Sequence, residues 1–214
     1  GYEMLHKLQG MFAFCIYDAK KKTLFVARDR IGIKPLYYRV HAERFMFASE
    51  IKAILQDTSY KRQVNTKALE SFLVFRANTQ EETFFKGIKK VMPGHYIVYD
   101  LEKKTYKTVC YWNFSFSPQE KSKERYISEL RELLEDSVKS RLMSDVPYGA
   151  YLSGGVDSGS VVALMKKHSP QKVKTFSVGF KEEKYSEAEE ARFLSKAIGT
   201  DHHELSIGHD AIKL

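Results

Sequence analysis

The spacing of apolar residues changes near the middle of this 214-residue chain, and that change constrains the fold more than any other feature. Across residues 1–114 the apolar residues form short runs separated by turn-forming residues, a pattern typical of strands. Across residues 124–214 helical spacing appears first, followed by alternating strand-like and helix-like segments. Residues 115–123 are polar with one proline, so we expect a linker between two domains there.

The first half is expected to fold as an antiparallel, layered α+β domain. Short helices are predicted at residues 51–55 and 67–75, the second with Asn65 as its N-cap. The strand pattern predicts three hairpins, formed by residues 11–17 with 23–28, 35–40 with 45–49, and 95–99 with 106–111.

The second half is expected to fold as an α/β domain with a parallel sheet. A helix is predicted at residues 123–143, with one apolar face formed by Ile127, Leu130, Leu134, Val138 and Leu142. The segments after it alternate: strand 149–152, helix 158–168, strand 173–180, helix 187–198 and strand 202–205. Ser186 and Glu189 form a capping-box pattern before the last helix, and Gly199 suits its left-handed end. This order predicts parallel strands whose ligands bind at the carboxyl ends.

Composition argues against two classes of protein. With 43% hydrophobic and 13% aromatic residues, the chain can form packed cores. No apolar run reaches the roughly twenty residues of a membrane helix, so no membrane association is predicted. The formal charge of +8 is dispersed, with lysines at 20–22 and 103–104 in predicted turns, so no nucleic-acid partner is predicted either.

The cysteines and the chain ends give two further expectations. Cys15 and Cys110 lie in strand-like apolar runs, which predicts reduced, buried thiols and a cytoplasmic protein. The chain starts at Gly1 with helix-forming residues that run into a strand, and residues 210–214 resemble the first turn of a helix. We therefore expect a fragment of a longer protein.

The clearest candidate site lies between the first parallel strand and its helix, at Leu152, Ser153, Gly154, Gly155, Val156, Asp157 and Ser158. Backbone N–H groups and the positive end of the helix converge at this position, which predicts an anion-binding site. Gly154 and Gly155 let the backbone approach an oxyanion, while Ser153 and Ser158 add hydroxyl groups.

Asp157 narrows the choice of ligand. A carboxylate repels a phosphate unless a divalent cation lies between them, so this residue predicts a magnesium-bound polyphosphate. A glycine turn with a capping aspartate is the structural alternative. The segment is not a Walker A loop, which needs a lysine followed by serine or threonine, and it is not a Rossmann G-x-G-x-x-G.

The string Ser-Gly-Gly-Val-Asp-Ser resembles the PP-loop of the ATP pyrophosphatase superfamily, whose members split ATP between its α and β phosphates. Residues 141–146, 147–149 and 175–180 resemble the synthetase domain of B-type, glutamine-hydrolysing asparagine synthetases. The later part of that family's N-terminal-nucleophile-type amidotransferase domain is similar to residues 10–14, 27–38 and 48–53. This resemblance covers nearly the whole chain, and it implies an amidotransferase domain at residues 1–114 and a synthetase domain at residues 124–214.

The resemblance implies an asparagine synthase that adenylates the side-chain carboxylate of aspartate. Ammonia from glutamine then gives asparagine, AMP and diphosphate, with ATP and Mg²⁺ required. It implies that Leu152 and Val178 contact adenosine, and that the diphosphate and its Mg²⁺ are held by Ser153, Gly154, Gly155, Asp157 and Ser158. The family's glutaminase nucleophile is an N-terminal cysteine, which this sequence lacks, so no glutaminase site is assigned and the chain alone is expected to be inactive.

Two other functions stay open at this point. A related enzyme could amidate a different carboxylate or close a β-lactam ring, and the chain could also bind ATP or a partner without catalysis. A homo-oligomer is also left open as a possible assembly. Arg28, Asp29 and Arg30, before Gly32, allow a catalytic interpretation, but we interpret them as fixing a loop through ion pairs. His202 and His203 are adjacent strand residues that point to opposite faces, so no zinc site is predicted.

Overall fold

The computed structural model describes residues 1–180 and 187–208. The chain divides into two units, Gly1–Ser117 and Pro118–Leu214, and each is described by itself. Within the described ranges, no helix has both the length and the apolar character needed to cross a membrane.

The first unit contains two antiparallel sheets, ordered β1-β2-β6-β7 and β4-β3-β5. Its elements are α1 (Met4–Lys7), β1 (Ala13–Asp18), β2 (Thr23–Arg28), β3 (Tyr37–His41), β4 (Arg44–Ala48), α2 (Ile51–Ile54), α3 (Thr66–Phe75), β5 (Lys89–Lys90), β6 (His95–Asp100) and β7 (Thr105–Cys110). The three predicted hairpins are confirmed, because β1 pairs with β2, β3 with β4 and β6 with β7. The pairing of β2 with β6 joins two of these hairpins into one sheet.

The core of the first unit lies on both faces of this larger sheet. Val26 and Ile97 are fully buried on one face, in a cluster that includes Tyr38 from the second sheet. Phe25 and Ala27 point to the other face, where they pack with Leu5 of α1. The alternation along β2 therefore places one strand between two apolar layers.

The second unit contains a parallel sheet ordered β10-β9-β8, which confirms the predicted strand direction. Its elements are α4 (Lys123–Arg141), β8 (Gly149–Tyr151), α5 (Val156–His168), β9 (Lys174–Phe180), α6 (Ala188–Ile198) and β10 (Asp201–Ile207). Leu152, Val162 and Ala191 form a buried cluster between the sheet and α5 and α6. The carboxyl ends of all three strands lie at the same edge of the sheet.

Helix α4 buries only part of its predicted apolar face. Val138 packs against Met165 and Val173, and Leu142 joins that cluster. Ile127 and Leu130, nearer the start of the helix, are 47% and 67% exposed. Ser122 caps the helix by accepting a hydrogen bond from the N–H of Arg125, and α4 ends at Arg141, so the last two residues of the predicted helix lie outside it.

Several local predictions need correction. Asn65 precedes α3 as predicted, but its side chain forms no capping bond and donates instead to Glu82. Cys110 is exposed because β7 is an edge strand, so the prediction that it is buried is wrong, and Cys15 is only partly buried.

Gly199 does end α6 in a left-handed conformation, at φ 81°. Ser186 and residues 210–214 lie outside the described residues, and Glu187 occupies the N-cap position of α6 without a side-chain capping bond.

Candidate functional site

The candidate loop connects β8 to α5 at the carboxyl edge of the parallel sheet. Helix α5 begins at Val156 rather than at the predicted Ser158, so Asp157 and Ser158 lie inside its first turn. The N–H groups of a first turn have no partner within the helix, and the helix dipole makes this end positive. The earlier start therefore brings the carboxylate and one hydroxyl of the motif directly to the anion-binding end of the helix.

The two serines of the loop hold each other in place. The Ser153 N–H donates to Ser158 Oγ at 3.2 Å, and the two Oγ atoms lie 3.0 Å apart. Ser158 Oγ in turn donates to the carbonyl of Gly155 at 3.3 Å. Because Ser158 uses its proton on that carbonyl, it accepts from Ser153. A bound oxyanion would compete for these same protons, and both serines are near the surface.

The two glycines of the loop have different local roles. Gly154 has φ +84°, and a Cβ on it would lie 2.4 Å from the Cβ of Glu190 in α6. Its lack of a side chain is therefore needed for packing against α6. Gly155 has φ −76° and would place a Cβ no closer than 3.5 Å to any neighbour, the nearest atom being Ser153 Oγ. The fold leaves open space at Gly155, where an oxyanion could approach the backbone.

Leu152 and Val178 lie on opposite faces of the sheet. Leu152 is 1% exposed and packs against α5 and α6, while its N–H donates to the carbonyl of Phe176 at 2.9 Å. Val178 is 45% exposed, on the face that these helices do not cover. Val178 can offer its side chain to a ligand, whereas Leu152 can offer only its backbone. The predicted adenosine contacts of both residues stay predictions.

Two family models match this chain. The glutamine amidotransferase domain matches residues 1–112, which is more than half of the chain, and the asparagine synthase model matches residues 129–213. Glutamine-hydrolyzing asparagine synthetases 1 and 3 of Bacillus subtilis (strain 168) are 36% and 35% identical to it over 93% and 94% of its length.

The chain belongs to the family of glutamine-hydrolysing asparagine synthetases. It spans 31% and 35% of the length of the two Bacillus synthetases. The amidase chyE of Penicillium rubens is 33% identical over 99% of the chain and is matched along 34% of its own length. A solved structure, that of glutamine-dependent NAD+ synthetase from Acinetobacter baumannii in complex with ADP, aligns with 95% of this chain and 51% of the synthetase chain. The sequence identity is 13% and the TM-score is 0.36, which is too low to show a common fold.

Asp29, in the amidotransferase part of this synthetase-family chain, anchors the loop that follows β2. It is 2% exposed, and its carboxylate accepts from the N–H groups of Ile33 at 3.0 Å and Lys34 at 2.9 Å, as well as from Ile31 and Phe12. Burial raises the pKa of Asp29, but the N–H groups of Lys34, Ile33 and Phe12 outweigh this and hold the pKa below its ordinary value.

Arg28 fixes the same loop from its other side. Its guanidinium donates to the backbone carbonyls of Lys34, Val91 and Gly32 at 2.6–2.7 Å. The structural interpretation of Arg28 and Asp29 is therefore correct, but the predicted ion pairs are wrong, because both side chains bond to backbone groups.

The synthetase part also contains a polar cluster that the sequence interpretation missed. His202 Nδ1 lies 2.9 Å from Thr175 Oγ1, and its Nε2 lies 3.2 Å from Ser177 Oγ. His203 points to the opposite face, as predicted, and stacks on Phe176 at 5.4 Å between ring centroids. Thr175 and Ser177 are two residues apart, which places both hydroxyls on the same face of a strand. This spacing could have indicated the cluster from the sequence.

We expect Arg192→Gln to destabilise the second unit by about 0.5–1 kcal/mol, and by less in high salt. Arg192, in α6, donates to both carboxylate oxygens of Glu204 in β10 at 3.0 Å. Urea unfolding at two salt concentrations measures the effect. Lys196→Gln, on the same helix, removes the same charge without a described ion pair and serves as the control. Equal effects of both variants would show that the pair itself contributes nothing.

Proposed function

We propose that the loop at residues 153–158 binds the phosphates of ATP, in a protein that amidates aspartate to asparagine with ammonia from glutamine. The position of this loop carries the proposal: it joins a parallel strand to the positive end of α5, inside the region matched by the asparagine synthase model. We further propose that residues 1–114 and 124–214 belong to the amidotransferase and synthetase domains, joined by residues 115–123.

Each loop residue has a role in this proposal. The N–H groups at Gly155 and in the first turn of α5 face the diphosphate that leaves as the aspartate carboxylate is adenylated, and the hydroxyls of Ser153 and Ser158 donate to it. Gly154 holds the loop against α6. Val178 provides an apolar contact for the adenine, and Leu152 contributes its backbone.

Asp157 would hold Mg²⁺ together with phosphate oxygens. Among residues 1–180 and 187–208, no group of three His, Cys, Asp or Glu side chains is placed to hold a metal ion. A single carboxylate at the loop fits a Mg²⁺ whose other ligands are phosphates and water, which is its usual coordination at nucleotide sites. When bound, the ion offsets negative charge on the departing diphosphate.

Neither cysteine fits the role of glutaminase nucleophile. Burial raises the pKa of the Cys15 thiol, which disfavours the reactive thiolate. Cys110 lies on β7 and donates to the carbonyl of Trp112 at 3.3 Å. Both thiols are free, which fits a reducing compartment such as the cytoplasm, and we place the reaction there.

A different carboxylate acceptor is the second candidate function. The name of the amidase chyE shows that proteins similar to this chain over 99% of its length include one named for another activity. The features described above bind ATP and do not select the acceptor. Comparing AMP formation with aspartate and with other carboxylic acids distinguishes the two functions.

We expect Mg²⁺ to raise the affinity of the chain for ATP about tenfold or more, and Asp157→Asn to abolish this gain. The physical reason is that the amide cannot hold the cation between itself and the phosphates. Isothermal titration with ATP, with and without Mg²⁺, measures the effect. Asp136→Asn, an exposed carboxylate on α4, is the control. An unchanged magnesium dependence in Asp157→Asn contradicts the assignment, and absence of ATP binding by the unaltered chain contradicts the loop proposal.

A further inference from the structure

A polar cavity of about 400 Å³ lies in the first unit, far along the chain from the ATP loop. Its walls come from β3, from residues 59–63 and from the turn at residues 86–87. The basic side chains that line it are Arg39, His41, Lys61 and Lys86, and no carboxylate is among the lining residues.

Arg39 lines this cavity, and most of its N–H groups donate to no acceptor among the described residues. Its side chain is 7% exposed, and Nη1 donates to Asp57 Oδ2 at 2.9 Å. The guanidinium also lies 4.8 Å from the centroid of the Tyr60 ring. A guanidinium has five N–H donors, and this bond to Asp57 is the one that it makes within the described residues. None of the remaining Arg39 nitrogens is fully buried without a partner, so these N–H groups reach solvent and can donate to a ligand in the cavity.

The walls of the cavity are fixed before any ligand arrives. The hydroxyl of Tyr60 donates to the carbonyl of Lys86 at 2.9 Å. The N–H of Lys86 donates back to the carbonyl of Gln63, also at 2.9 Å. These two bonds hold residues 59–63 against the turn, and so hold the backbone that carries Lys61 beside the backbone that carries Lys86. Neither ammonium group pairs with a carboxylate of the described residues.

We propose that this cavity binds a phosphate group. Arg39, Lys61 and Lys86 contribute three positive charges to the lining, and Asp57, bonded to Arg39, offsets one of them. The site therefore retains two positive charges, which match a phosphate dianion. The free edge of the Arg39 guanidinium suits paired hydrogen bonds to two phosphate oxygens, and the lysines add point charges from the rim. The group can belong to inorganic phosphate, to diphosphate or to a phosphate monoester.

Titration calorimetry with inorganic phosphate, diphosphate and glycerol 3-phosphate, at constant ionic strength, tests this proposal. The ligand with the highest affinity shows which kind of phosphate compound the cavity prefers. The decisive variant is Lys61→Gln/Lys86→Gln, since both side chains are exposed and the wall is held by backbone groups and Tyr60. We expect it to weaken phosphate binding about tenfold or more. Lys20→Gln/Lys21→Gln, in the exposed turn between β1 and β2, removes the same charge and should leave binding unchanged.

Two further variants separate this site from the ATP loop and from general charge effects. Gly155→Ala should leave binding of inorganic phosphate at the cavity unchanged, because it alters only the loop. Arg39→Lys keeps a cation beside Asp57 but loses the paired N–H donors of the guanidinium, and should weaken phosphate binding. The proposal is overturned if no saturable binding is found, if both lysine pairs weaken it equally, or if Gly155→Ala abolishes it.

Discussion

Gly154→Ala is expected to lower the free energy of unfolding of the second unit by about 3 kcal/mol or more. A non-glycine residue at φ +84° costs about 1–2 kcal/mol. The new methyl group would also lie 2.4 Å from the Cβ of Glu190 and 3.0 Å from the backbone nitrogen of Ala191. Since a backbone atom cannot move aside cheaply, overpacking adds about 1–3 kcal/mol. Urea unfolding followed by far-UV circular dichroism measures the loss.

Gly155→Ala is the matched control for this prediction. Its backbone is extended and its nearest neighbour is 3.5 Å away, so we expect a change within about 1 kcal/mol. The same methyl group occupies the space proposed for the diphosphate, and ATP affinity should fall about tenfold or more. The single tryptophan, Trp112, lies in the first unit, and its fluorescence reports whether that unit is unaffected. Equal destabilisation by both alanines would refute the separate roles of the glycines.

Asp29→Ala is expected to destabilise the first unit by about 3–5 kcal/mol. The substitution leaves four backbone N–H groups without their acceptor at a residue that is 2% exposed. These N–H groups belong to Phe12, Ile31, Ile33 and Lys34. Each buried unsatisfied donor costs about 1–3 kcal/mol, and the loop can relax to solvate some of them. Trp112 fluorescence during urea unfolding measures the effect, and Asp18→Asn, in an exposed turn, is the control.

The same carboxylate should make the first unit sensitive to acid. The pKa of Asp29 is lower in the folded chain than in the unfolded chain, so its stabilising effect is fully present above the unfolded pKa of about 4. It is lost as the pH falls through the lower, folded value. Asp29→Asn should therefore show a smaller loss of stability below about pH 4 than the unaltered chain. Parallel pH profiles for the two proteins would contradict this linkage.

Local patterns were sufficient to predict most of the strands. The β1–β2 and β6–β7 hairpins follow from apolar runs flanking short turns, and the parallel sheet follows from the alternation of strands and helices. The two-residue strand β5 was missed because it has no periodicity of its own and exists through its pairing with β3. Exposure of Cys110 was missed for a related reason, since strand order decides which strand forms an edge.

The loop was found from its composition and its place between strand and helix, but two of its properties depend on tertiary contacts. The packing role of Gly154 requires α6, whose contact residue Glu190 is distant in sequence. Helix α5 begins at Val156, and the sequence did not predict this start because residues 156–158 are compatible with both a turn and a helix. The opposite orientation of Leu152 and Val178 follows from strand parity and the parallel register, once Tyr151 is paired with Phe176.

The strand order of the first unit also governs how quickly it can assemble. Strand β2 pairs with β1, which directly precedes it in the chain. It also pairs with β6, where Val26 lies opposite Ile97, and β3, β4, α2, α3 and β5 lie between these two strands in the sequence. Closing so long a loop is entropically slow, whereas each hairpin closes locally. During synthesis the outer edge of β2 therefore stays unpaired until the ribosome has released β6. The slow step in folding this unit is expected to be the joining of two finished hairpins.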